Sequence, residues 1–251
     1  MKKLLIRISI ALIVILILVV VAVGLFLDTA IKKGVETFGP ELTQVDIKLD
    51  SVHLSLFSGS GTIKGLVVGN PKEYKAPQAI AVGLASLSVS PASVLSDKIV
   101  IKSIRVEGPE ITFEGGPIHN NLNKILDNVN AATGGNKPAA KESPTPAPAS
   151  PAKKPGKKLE VDEFLITGAK VHVSTTLTVP LPDIHLTDLG KGPEGITAAD
   201  LTRQVLDEVV TATIKAVGSS ATDIGKGASK AATDAVGKAT KGITDLFKKK
   251  Q

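Results

Sequence analysis

The chain opens on an unbroken apolar run. Ile8 to Leu27 reads ISIALIVILILVVVAVGLFL, 20 residues without a charge. As a helix rising 1.5 Å per residue, about 20 apolar residues cross a hydrocarbon core of roughly 30 Å. Lys2, Lys3 and Arg7 precede the run, which places residues 1–7 in the cytoplasm and sends the rest of the chain across. The competing reading is a cleaved signal peptide. Its apolar core would be about 7–15 residues followed by a small-x-small site, and the run here is longer with no good site after it. The pattern therefore predicts a retained transmembrane helix over 8–27.

Past the run the period changes twice. Residues 28–40 place Ile31, Val35 and Phe38 at helical spacing, a short helix that Gly39-Pro40 is expected to stop. From Leu42 to Glu114 apolar and polar residues alternate. Val45, Ile47 and Leu49 share one phase, which slips by one at Asp50-Ser51 before Val52, Leu54 and Leu56 resume. Such a slip predicts a β-bulge or bend. Further strands are predicted at Ile63–Val68, Ile80–Leu84, Leu87–Val89, Ile99–Val106 and Ile111–Phe113, separated by turns at 58–61 and 69–71. Short alternating strands at this spacing indicate an antiparallel sheet with one apolar face. Residues 118–130 return to helical period, with Ile118, Leu122, Ile125, Leu126 and Val129 on one face and asparagines on the other.

Residues 131–158 carry six prolines among Ala, Ser, Gly and Lys, the composition of an extended, disordered linker. Beyond it the chain repeats itself. KLEVDEFLITGAKVHVS (158–174) aligns with KIVIKSIRVEGPEITFE (98–114) at an offset of 60, matching six apolar positions, the leading lysine and Gly108 with Gly168. The shared glycine is expected at a turn between two strands, with positive φ. Residues 159–190 are thus expected to complete the first sheet, and Leu177–Ile184, with two prolines, reads as its edge. In 198–251 Thr-Asp recurs at 222, 233 and 244, a spacing of 11 that keeps one helix face, with a weak apolar stripe that includes Ile214, Val217 and Ile224. Interior glycines weaken that helix in water. A membrane surface and a solvated tail are both consistent with it.

Composition narrows the chemistry. There is no cysteine, which removes disulfides and thiol chemistry, and aromatic residues make up 3%, too few for base-stacking modules. A net charge of +6 spread along the chain fits ordinary solubility and some attraction to anionic lipid rather than nucleic-acid binding. No nucleophile elbow, dinucleotide fingerprint or phosphate loop is present. The histidines at 53, 119, 172 and 185 lie far apart, so no metal site, cofactor or catalytic residue is expected.

Order and spacing of motifs over 61–114 resemble the AsmA-like family. Gly65-Leu-Val-Val-Gly-Asn-Pro71 is similar to that family's G-[IL]-x-[IV]-x-N-P turn, here Gly69, Asn70 and Pro71. SVSPASVLSDKIVIKSIRVEGPEITFE resembles the strand pattern that follows it, and Asn121-Leu122-Asn123 resembles the element opening the next helix. With the N-terminal helix the likeness covers about 1–130, extended by 158–190. It implies a single-pass inner-membrane protein with the N-terminus cytoplasmic and a β-rich periplasmic domain over 28–130. In long members of that family a curved sheet carries an apolar groove thought to conduct phospholipid.

The expectation from the whole chain is therefore a mainly β protein with helices: an N-terminal transmembrane helix, an antiparallel curved β-sheet and a helical C-terminal tail. Its expected role is non-enzymatic, binding lipid or assisting envelope assembly through an apolar sheet face. Groove candidates are Ile47, Leu54, Ile63, Val82, Ile101, Val106, Ile111 and Phe113. Expected partners are membrane phospholipid, as the surround of the anchor, a groove ligand and a tail contact, and an envelope protein. The alternative is a structural scaffold or interaction module in which the same residues pack a closed β core.

Overall fold

The computed structural model describes residues 26–55, 57–134, 157–173, 177–220 and 222. The expected membrane segment up to residue 25, most of the Pro-rich linker and the tail repeats beyond 222 lie outside them. Among the described residues no helix is long and apolar enough to cross a membrane.

The described fold is mainly β, an open mixed sheet with three helices: α1 (26–43), α2 (Asn121–Thr133) and α3 (198–220). Its strands are β1 (Ile47–Lys48), β2 (Ser51–Leu54), β3 (Ser60–Gly69), β4 (Gln78–Val89), β5 (Lys98–Glu107), β6 (Glu110–Thr112), β7 (Lys158–Thr167), β8 (Lys170–His172), β9 (Thr178–Pro180) and β10 (Ile184–Leu189). A 3-10 turn, Pro91–Leu95, joins β4 to β5.

The strands run as six lines. β1 and β2 lie along one edge of β3 in a single register. β3 pairs β4, and β5 and β6 share the other edge of β4. β7 and β8 then lie along β5 and β6, and β10 and β9 close the far edge. The sheet is not wholly antiparallel, because β5–β7 and β6–β8 are parallel pairs. Parallel pairing needs a long crossover. Here α2 and the linker after it supply that length.

The 60-residue repeat is the register of this parallel contact. Lys98 faces Lys158, Ile101 faces Val161, Val106 faces Ile166 and Ile111 faces Val171. The two copies lie side by side, each apolar residue beside its counterpart. Gly108 and Gly168 do have positive φ, 56° and 63°. They do not turn a hairpin, since β5 and β6 both follow the same edge of β4. They interrupt one continuous line.

That interruption crosses the whole sheet. Gly108 lies opposite Gly83 in β4, which lies opposite Gly65 (φ 62°) in β3. Gly65 in turn meets the break at Leu49-Asp50, and a Cβ there would strike the Asp50 carboxylate at 1.9 Å. On the other side Gly168 faces the break between β9 and β10. Residues separated by an odd number point to opposite faces of an unbroken strand. Yet Leu49 and Val52, Val82 and Ala85, Val106 and Ile111, Ile166 and Ala169, and Leu181 and Ile184 are all buried. Each line shifts phase where it crosses this row, so the apolar face stays on one side along the full strand length. The same shift makes one strand, β4, of the two expected at Ile80–Leu84 and Leu87–Val89.

The core lies between that face, α2 and α3. Leu122, Ile125 and Val129 of α2 and Leu206, Val209 and Val210 of α3 are buried against the sheet. α2 starts later than its apolar spacing predicts: Asn120 caps it by accepting from Asn123 N–H at 2.8 Å, and Ile118, 75% exposed, precedes it. Its asparagines are not all on the solvent side either. Asn121 and Asn128 are buried, Asn128 donating to Thr43 O at 2.8 Å. The opposite sheet face is polar, with Arg105–Glu163 at 3.1 Å and a Lys98–Glu160 pair across the parallel seam.

Candidate functional site

α1 runs past Gly39-Pro40 to residue 43 and ends where Gln44 takes a positive φ of 57°. The ring of a proline clashes with the N–H and the Cβ of the residue before it in helical geometry, and Gly39 lacks the second of these. The same missing Cβ lets α1 close onto β1, since one at Gly39 would lie 2.6 Å from Ile47 Cδ1.

Polar side chains four residues apart hold α1 against the edge of the sheet. The Asp28 carboxylate accepts from Leu54 N–H at 2.9 Å, Lys32 donates to Asp50 O at 2.9 Å, and Glu36 accepts from Leu49 N–H at 3.1 Å. Free strand edges invite pairing with other chains. Here helix side chains occupy the backbone groups that such pairing would use.

Pinned along that side, α1 leaves its apolar side over the sheet without closing on it. Ile31, Val35, Phe38 and Leu42 line open space, and none of the four belongs to the packed core. Phe38 is 53% exposed. Across the gap stands α3, with Leu201, Val205, Leu206 and Val209 lining the other wall. Leu66, Val68, Ile80, Val82, Ile111 and Phe164 are among the residues forming the floor. The result is a groove of about 620 Å³ whose lining contains no titratable group; Thr43 and Thr202 are its polar side chains. Ligand sites of this size are ordinarily apolar with a few polar groups to fix orientation. A cleft with two hydroxyls and no charge can hold hydrocarbon but offers little to a charged or strongly polar ligand.

The sequence candidates divide over this geometry. Ile47, Val82, Val106 and Ile111 line the groove. Val82, Val106 and Ile111 are also buried members of the core, so floor and core are one surface. Phe113 is 4% exposed within the core, Ile63 and Ile101 pack partly buried against it, and Leu54 is half-buried at the end of β2. Those four do not line the groove. The α3 wall was missed. The apolar stripe read in the tail starts at Ile214, whereas Leu201, Val205 and Val209 repeat at i, i+4 and i+8 just before it. Ile31, Val35 and Phe38 were visible as a helix face, but not as a wall.

The turn residues have a structural part. Gly69 N–H donates to Asp46 O at 2.7 Å and ends β3. Asn70 donates to the Glu114 carboxylate at 3.1 Å and accepts from the Asn121 amide at 2.9 Å. Glu114 also accepts from Lys75 N–H at 2.8 Å and Ala76 N–H at 3.0 Å. Asn121 donates to Thr112 O at 2.7 Å and accepts from Glu114 N–H at 2.9 Å. The backbone donors of Ala76 and Lys75, then the Asn70 amide, hold the Glu114 carboxyl below the ordinary glutamate range. This clamp ties loop 70–77 to β6 and the first turn of α2. A small polar pocket of about 130 Å³ beside it is lined by Asp46, Lys48 and Asn70, among others.

Comparison of the chain with family models, with curated proteins and with solved structures finds no match in any of the three.

Proposed function

We propose that this chain is a non-enzymatic, membrane-tethered protein that receives hydrocarbon of a membrane lipid in the groove between α1 and α3. The observation that carries the reading is the apolar side of α1, held off the sheet over a cleft of about 620 Å³ without a titratable group in its lining. Each methylene moved from water to such a surface contributes about 0.8 kcal/mol. The apolar run of 8–27 and the lysines and arginine before it support a single-pass inner-membrane location with the sheet in the periplasm. The resemblance to AsmA-like proteins points the same way, and an envelope protein is a further partner under this reading. No reaction is assigned to the groove.

The test uses the full chain in phospholipid vesicles doped with a phospholipid carrying a diazirine near the end of one acyl chain. Illumination is expected to crosslink the peptides holding Val35, Val82, Ile111 and Val205. Crosslinks confined to 8–27 would sink the reading. Gly34 lines the groove and a Cβ there meets nothing within 4 Å, so Gly34→Phe fills the cleft without a clash at its first atom. That variant is expected to lose most groove crosslinks and to keep those of the N-terminal segment.

A further inference from the structure

We infer that one end of the sheet is a bilayer-docking surface, with Phe57 and Leu95 as its inserted tips. The inference rests on the reading that residues 8–27 span a membrane, and it concerns how the sheet stands on that membrane. The direction of α1 is fixed by its contacts. Asp28 bonds Leu54 N–H and stands 3.2 Å from His53 Nδ1 at the end of β2, while Glu36 bonds Leu49 near β1. α1 therefore starts at the end of the sheet where β2 turns into β3, and the chain on the N-terminal side of Phe26 leaves from there.

The same end presents apolar side chains to solvent. Phe26 is 76% exposed, Phe57 in the β2–β3 turn 79%, and Leu95 in the 3-10 turn between β4 and β5 93%. The two turns are neighbours. Val89 N–H donates to Gly59 O at 2.6 Å, and a Cβ on Gly59 would stand 3.1 Å from Pro91 Cδ. Lys157, at the start of β7, donates to Val94 O in the second turn. Large apolar side chains exposed together on adjacent loops mark a contact surface, and a tether leaving from the same end holds that surface at the lipid interface. Towards the opposite end the exposed large apolar residues among those described are Ile118 and, lining the groove, Phe38 at 53%, and loop 70–77 there is bound by the Glu114–Asn70–Asn121 clamp. α3 also starts at the docking end, since Ile196, two residues before it, pairs with Leu159. Both walls of the groove thus rise from the side that would meet the bilayer.

The chain has no cysteine, so single reporters can be placed directly. Phe57→Cys, Leu95→Cys and Ile118→Cys, each in the full chain, are labelled with an environment-sensitive fluorophore. The labelled chains are reconstituted into vesicles of phosphatidylethanolamine and phosphatidylglycerol. Doxyl-labelled lipid is expected to quench the reporters at 57 and 95 several-fold more than the one at 118, and aqueous iodide the reverse. Equal quenching at the three sites would overturn the docking surface, as would shielding of 57 and 95 from iodide without doxyl quenching, the mark of a protein contact. Flotation of the same samples separates this failure from that of the tether. A chain that floats with equal quenching loses the docking surface alone, whereas one that does not float loses both readings.

Discussion

At one end of the sheet, loop 70–77 is bound through Glu114, Asn70 and Asn121, each side chain satisfied by backbone or amide partners. At the other, the turns that carry Phe57 and Leu95 offer apolar side chains to solvent. The first end spends its polar groups internally and gains rigidity. A paired polar network is stable, and it becomes costly when a partner of its buried member, here Asn121, is removed. The second end leaves Phe57 and Leu95 uncovered, so their side chains contribute little to folding. Substitutions at the two ends are therefore expected to separate stability from membrane contact.

The largest effect is expected at Asn121, which is fully buried and bonds Asn70, Thr112 and Glu114. Asn121→Ala leaves several groups unpaired and should destabilise by about 3 kcal/mol, read as a drop in denaturant midpoint with unchanged m-value. Glu114→Gln keeps the shape and loses the charge, and because solvent screens this half-buried group the expected cost is below about 1 kcal/mol at neutral pH. It should also change the pH profile. The folded Glu114 carboxyl titrates below its unfolded value, so its contribution is present above the ordinary glutamate range and is lost as pH falls through the lower, folded value. The parent should thus lose stability on acidification by a component that Glu114→Gln lacks. Parallel profiles for the two proteins would refute the clamp's dependence on charge.

A smaller change of opposite sign is expected in α1. Gly34→Leu replaces a helix-interior glycine whose side has open space and should stabilise by about 0.5–1 kcal/mol, while reducing acyl crosslinking in the groove. A thermal melt and the crosslinking yield, measured on one preparation, check the two signs together. The smallest change in stability belongs to Phe57→Ser with Leu95→Ser. Both side chains are exposed, so the pair should stay within about 0.5 kcal/mol of the parent, and only the bilayer readout should move. A large loss of stability in this variant would make the tips part of the fold.

Much of the sheet could be read before folding, but in fragments. The slip at Asp50-Ser51 was visible as a change of phase, and Gly108 and Gly168 were visible as a shared glycine. Their common cause was not, because Gly65 and Gly83 join that row through pairings that only the sheet creates. Helical periodicity sets Asn121 and Asn128 apart from the apolar face, yet both are buried, because they find partners on other segments, Asn70 and Thr43, far away in sequence. The groove was half legible. Its floor follows from alternation, which marks an apolar sheet face. Its walls do not, since helical spacing cannot say whether an apolar stripe closes on a sheet or stands away from it.

By itself the sequence determined the alternation of the strands, the phase slip at Asp50-Ser51, the 60-residue repeat and the apolar spacing of α1, because these are properties of neighbouring residues. It also placed a strand with two prolines at an edge, where β9 and β10 lie, since proline cannot donate to a ladder. Tertiary structure decided what those faces meet. The repeat became a parallel seam because α2 and the linker gave the chain enough length to return in the same direction. α1 became the wall of a groove rather than part of the core: Asp28, Lys32 and Glu36 bind it to an outer strand, and Ile31, Val35, Phe38 and Leu42 line the open space instead of joining the packed core.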